Sequence, residues 1–139
     1  MIQIIAGEKG KGKTKILLDK ANAEVLTTKG SLAFIDKNNR HMYELSNKIR
    51  LISIKDYFVN DVKEFTGFIA GLISQDNDLS KVYLDGFLSI APMEDSDIAE
   101  MIDKLATLSN AFDVDFVISI SKNEEDLPEN AKPYVIVSL

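Results

Sequence analysis

Gly7-Glu8-Lys9-Gly10-Lys11-Gly12-Lys13-Thr14 reads G-x-x-x-x-G-K-T, and its surroundings decide how the rest of the chain is read. Met1 to Ala6 before it is a short apolar run suited to a buried strand. Thr14 to Leu26 after it carries Leu17, Leu18, Ala21 and Val25 at helical spacing. A strand, a glycine-rich turn and a helix in that order build an anion site. Glycines admit positive φ, so that successive backbone N–H groups can converge on one concavity. The helix aims its unpaired N–H groups and the positive end of its dipole at the same place. Lys13 adds a cation with the reach for β- and γ-phosphates, and Thr14 adds a hydroxyl suited to Mg²⁺. The four fixed positions coincide by chance on the order of once per 10⁴ positions, so the phosphate mechanism outweighs a plain Lys/Gly loop. Lys9, Lys11 and Lys15 concentrate further positive charge there, in a chain whose net charge is −6.

The bulk composition narrows the class. A chain of 139 residues suits one domain, 1–139, with a sizeable core, and is too short for two. No apolar run approaches the ~18 residues of a membrane span. The first residues enter a strand with no charged leader, so a cytoplasmic protein is expected. Cysteine is absent, which excludes disulfides and thiolate metal sites, and the single His41 excludes a multi-histidine zinc site. A pI near 4.8 argues against a general nucleic-acid surface, which needs clustered Lys and Arg. Glu124-Glu125-Asp126 reads as a solvated loop.

Strand and helix signals alternate along the chain. Thr27 to Ser31 gives stop and turn signals, with Gly30 placed to cap the first helix. Leu32 to Asp36 reads as a second strand, Lys37 to His41 as a polar loop, and Met42 to Lys48 as a helical turn or two. Ile49 to Ile54 reads as a third strand, placed toward an edge by Arg50. Asp56 is positioned to cap a helix running to about Ser74, with Phe58, Val62, Phe65, Ile69 and Leu72 as its apolar stripe. Gly67 and Gly71 inside that helix suggest close packing on a sheet. Lys81 to Gly86 reads as the next strand. Met93 to Asn110 reads as a helix capped by Asp95 or Ser96, with Ile98, Met101, Ile102, Leu105 and Leu108 on one face. A strand over 114–121, a polar loop from Lys122 to Pro133, and a strand over 134–139 complete the chain. The alternation predicts an α/β fold: a three-layer α/β/α sandwich around a mostly parallel sheet of five or six strands. Ligands of such sheets sit at the carboxyl ends of the strands. That makes Asp36, Asn38, Asn39, Arg40, Asp85, Ser119 and Ser121 candidates.

Val82-Tyr83-Leu84-Asp85 is a second signal, an apolar run ending in an acid at a strand's carboxyl end. A carboxylate so placed can hold Mg²⁺. With Gly7–Thr14, it makes the chain resemble P-loop NTPases over the core of the whole domain, as a Walker A and Walker B pair. The resemblance is closest to the RecA-like and AAA-like branch. It implies ATP and Mg²⁺ as ligands. Gly7, Glu8, Lys9, Gly10, Lys11, Gly12, Lys13, Thr14 and Lys15 would cradle the phosphates, Lys13 and Asp85 would act in catalysis, and Thr14 and Asp85 would hold the metal. It also implies that the 114–120 strand inserts between the phosphate-loop strand and the Asp85 strand, bringing Ser119 and Ser121 to a polar sensor position. The chain is similar, too, to small stand-alone ATP-binding proteins of Gram-positive bacteria, some labelled for twitching motility. It lacks the histidine and acidic boxes of pilus-retraction ATPases. Two departures stand out. Gly86 follows Asp85 where many members carry a water-activating Glu, and only Arg40 is placed to serve as an arginine finger. Asp36-Lys37-Asn38-Asn39 lacks the guanine-selecting N-K-x-D pattern, which favours ATP over GTP.

Three functions fit these residues. The first is an ATP–Mg²⁺-binding protein that is a weak or partner-dependent ATPase. The second is a small nucleoside or metabolite kinase with Lys122–Pro133 as its lid. The third is a non-enzymatic, nucleotide-dependent interaction module, acting as a homo-oligomer or with a protein partner.

Overall fold

Central strands of this chain are apolar on both faces because helices cover both. A computed structural model describes residues 1–90 and 94–139; the expected helix start at Met93 lies outside the described residues. The elements are β1 (Ile2–Ala6), α1 (Lys13–Glu24), β2 (Ser31–Asp36), β3 (Arg50–Ser53), α2 (Val62–Gln75), β4 (Leu79–Leu84), α3 (Phe87–Ile90), α4 (Asp95–Phe112), β5 (Asp115–Ile120) and β6 (Val135–Ser138). The six strands form one sheet in the order β3-β2-β4-β5-β1-β6, and every pairing is parallel. β5 therefore lies between β1 and β4, and β3 with its exposed Arg50 is an edge strand.

The pleat sorts the core into two layers. Ile4, Ile35, Val82, Leu84, Phe116 and Ile118 face α2 and α4, where Phe65, Ile69, Ile98, Met101, Ile102 and Leu105 meet them. Ile5, Phe34, Tyr83 and Val117 face the other way, onto Leu17, Leu18 and Ala21 of α1 and onto Leu45 and Ile49 of the loop after β2. This is the three-layer α/β/α arrangement.

Local signals misplaced several boundaries. The α2 cap is Asp61, which accepts from the Glu64 backbone N–H, rather than Asp56. Residues 54–57 form a 3₁₀ turn, and Phe58 then adopts a left-handed conformation at φ 61° with 81% of its surface exposed. Phe58 therefore leaves the predicted stripe, which begins at Val62. A side-chain cap won over stripe continuity because Asp61 satisfies an otherwise orphaned helical N–H. Met42 to Lys48 forms turns rather than a helix. Glu94, rather than Asp95 or Ser96, caps α4, in a reciprocal capping box with Asp97.

The glycines also differ from expectation. Gly30 does not cap α1, which ends at Glu24. A Cβ at Gly30 would sit 2.3 Å from the Asp78 carbonyl oxygen, so this glycine admits the close approach of the β4 entry. Gly67 and Gly71 face solvent, and a Cβ at either would meet nothing within 4 Å. They do not serve sheet packing. Gly67→Ala with Gly71→Ala is accordingly expected to raise the unfolding free energy by about 1–2 kcal/mol together. Urea denaturation with no gain would mean that the helix needs flexibility there.

Candidate functional site

The carboxyl ends of β1, β2, β4 and β5 open onto one cleft of about 520 Å³. The loop after β1 forms its floor. Gly10 and Gly12 take φ of 82° and 89°, a region costly to side chains, and Gly12 is the N-cap of α1. The first turn of α1 thus faces the cleft with its N–H groups unpaired by any side-chain cap. A Cβ at Gly7 would lie 2.9 Å from the Leu139 Cβ, so the entry to the loop is packed against the residue following β6.

Lys13 folds back over this floor and its Nζ donates to the Glu8 backbone carbonyl at 2.8 Å. Lys13 as a residue is 7% exposed, and burial lowers its pKa, with Asp85 pulling the other way. Thr14 sits one residue on. Its Oγ1 donates to the Asp85 carboxylate, 3.2 Å from Oδ1 and 3.1 Å from Oδ2. Asp85 is 4% exposed and accepts a further bond from the Ser119 hydroxyl at 2.9 Å. Ser119 in turn accepts from the Gly86 N–H at 2.8 Å. A residue of the first turn of α1, the residue after β4 and a β5 residue are thereby joined.

Asp36 completes the acidic side. One oxygen accepts from the Lys37 N–H at 2.7 Å. The other, Oδ2, is buried with no hydrogen-bond partner among the described residues. Burial raises the Asp36 pKa; the Lys37 N–H opposes this, the Asp85 charge adds to it, and His41 and Arg40 oppose it.

Of the residues singled out by sequence, Lys9, Gly10, Gly12, Lys13, Thr14, Asp36, Asn38, Arg40, Asp85, Ser119 and Ser121 line this cleft. Lys15 points elsewhere, pairing with Asp19 at 3.3 Å on the exposed side of α1. Lys11 is exposed, and Asn39 borders a neighbouring pocket with Met42 and Tyr57. The Glu8 carboxylate turns away to accept from Asn123 at 2.9 Å, so Glu8 contributes backbone. Sequence reading missed Lys37 and Gly86 as lining residues. It also missed that His41 comes into reach of Asp36 and Asp85. The polar loop after a strand ending in an acid was the available signal, but it does not say where the loop folds.

Chemically, the cleft offers backbone donors and a cation on one side and hard oxygen donors on the other. No helix among the described residues is long and apolar enough to cross a membrane. No protein-family model and no curated protein matches the chain. Among solved structures, the flagellar accessory protein FlaH from Methanocaldococcus jannaschii is similar, with a TM-score of 0.55 and 15% identity. The match covers 93% of this chain and 63% of that one, so the chain spans less than two thirds of that protein's length. At such identity the likeness is one of fold alone, an α/β structure layered about a mostly parallel sheet.

Proposed function

We propose that the chain binds ATP with Mg²⁺ in this cleft and is a weak or partner-dependent ATPase. The observation that carries the reading is the contact between Thr14 Oγ1 and the Asp85 carboxylate, made directly above the glycine loop. A hydroxyl and a carboxylate are the hard oxygen donors that suit Mg²⁺, and Asp85 is buried where a bound cation offsets its desolvation. Thr14 and Asp85 would hold the ion, which would neutralise charge on the β- and γ-phosphates. The Gly10 to Lys13 backbone and the Lys13 ammonium bind the phosphate oxygens. Ser119 holds the Asp85 carboxylate in place by its 2.9 Å bond.

Slow turnover follows from what stands beside the metal-holding carboxylate. Gly86 has no side chain to activate water. Partner dependence is supported by Arg40, which lines the cleft but has its Nε bonded within its own loop to His41 at 3.3 Å, so that a partner would be needed to free it for a phosphate. The kinase alternative, which would use the Lys122–Pro133 loop as its lid, is less well supported. Residues of the Lys122–Pro133 loop are tied down by the Lys122–Asp95 ion pair at 2.5 Å and by bonds from Asn130 to the Ala99 carbonyl and Asp103, with Leu127 and Ala131 buried beneath it. The loop is packed on α4.

Calorimetric titration of the purified protein is expected to show one ATP–Mg²⁺ site, with ADP–Mg²⁺ competing. Phosphate release should run below about 1 s⁻¹, under the median of about 10 s⁻¹ for enzymes generally. Absence of binding heat with ATP, and no competition by other nucleotides, would sink the reading. Fast turnover by the isolated chain would remove its slow, partner-dependent part.

A further inference from the structure

We propose that Asp36, His41 and Asp85 form a site for a divalent transition cation of the Mn²⁺ to Zn²⁺ class, beside the phosphate loop and independent of bound nucleotide. Each residue offers one donor atom, and all three atoms lie within 4.8 Å of one another. Donors around one such ion at about 2.0–2.2 Å stand roughly 3–4 Å apart, so small side-chain rotations close the set. Two come from one stretch of chain, and Asp85 joins them from another strand. Asp36 ends β2, Asp85 follows β4, and His41 arrives on the loop after β2.

Asp36 supplies an independent reason. It is 5% exposed, yet its Oδ2 has no hydrogen-bond partner among the described residues. Leaving a buried acceptor unsatisfied costs about 1–3 kcal/mol, and more when the group is charged. A cation shared with His41 and Asp85 removes that cost. Asp85 has capacity left, because a carboxylate offers about four lone-pair sites and its partners here are Thr14 and Ser119.

His41 is held as a ligand would be. Its Nδ1 lies 2.5 Å from the Glu44 carboxylate, an acceptor that calls for the proton on Nδ1 and makes Nε2 the acceptor nitrogen. Arg40 Nε donates to that Nε2 at 3.3 Å, so a positive group already stands where the ion would bind, and the exposed Arg40 gives way to it. The loop itself is clamped to α1 by Asn22, which donates to the Glu44 carbonyl at 2.9 Å and accepts from the Ser46 N–H at 2.8 Å. An imidazole among the donors selects borderline ions over Mg²⁺, which prefers oxygen and keeps its waters.

His41 is the only histidine, so its imidazole resonances report on the site without assignment. Zn²⁺ titrated into the nucleotide-free protein is expected to shift those resonances and to saturate at one equivalent. His41→Gln and Asp36→Asn should each weaken the Zn²⁺ affinity at least tenfold by calorimetry. Lys13→Ala, which removes the phosphate-binding cation and a positive charge felt by Asp85, should not weaken the Zn²⁺ affinity. That separates this site from the nucleotide reading, since either can fail alone. Unmoved His41 resonances at two equivalents of Zn²⁺, or undiminished affinity in His41→Gln, would overturn the proposal. His41 lies on a surface loop, so its replacement keeps the test open even if Asp36→Asn perturbs folding.

Discussion

Lys13→Ala is expected to abolish the stabilisation of this protein by ATP–Mg²⁺. In the wild type, ligand at 100 times its dissociation constant stabilises by about 2.7 kcal/mol. At roughly 3–5 °C per kcal/mol for a domain of this size, that is a rise in Tm of about 8–13 °C. The Lys13 ammonium is the charged group of the loop that is already buried in the cleft, held by the Glu8 carbonyl. Burial has lowered its pKa, and an arriving phosphate restores the missing counter-charge. Its removal deletes the strongest electrostatic contact while leaving the Gly10 and Gly12 backbone in place. The ligand-free fold should be little affected, because the lost partner is a carbonyl in an exposed loop residue. Thermal melts of both proteins across a nucleotide series measure this. An equal ATP-induced shift in the variant would show that nucleotide, if bound, sits elsewhere.

Asp85→Asn is expected to separate metal from nucleotide. The amide keeps the size of the side chain and can still accept from Ser119, while the Thr14 hydroxyl can turn to accept from the new amide. The cleft is therefore expected to survive, but with its negative charge gone. ATP affinity measured with Mg²⁺ should fall about 10–100-fold, the range seen when residues that support a metal are replaced. Affinity measured with the metal chelated should be unchanged. Equal weakening in both conditions would assign Asp85 a different job, that of positioning the loop through Thr14.

Much of this site is legible because its parts are local. The path from Gly7 to Thr14 depends on residues adjacent in sequence, and Gly10 and Gly12 take the left-handed conformations that their lack of a side chain permits. Asp85 is legible as an acid closing an apolar run. Phe58 departs from its sequence pattern for the complementary reason. Its spacing fits the α2 stripe, but a cap three residues along at Asp61 made the shorter helix better satisfied. Nothing in the stripe itself encodes that competition. The placement of β5 between β1 and β4 followed from the family resemblance and from no pattern in the residues.

The sequence alone determined the alternation of strands and helices, the burial of both sheet faces and the glycine turn of the loop after β1. Periodicity, glycine conformation and apolar runs are short-range properties, and they suffice for those features. Tertiary structure decided the strand order, and with it which strand ends are neighbours. Only that order puts Ser119 on Asp85, 34 residues away in the chain, and sets the Asp36 carboxylate beside them. It also brings His41 into the same space. These contacts arise where three strands and a loop converge, and the free energy that selects the convergence comes from burying both faces of the whole sheet rather than from any segment of it.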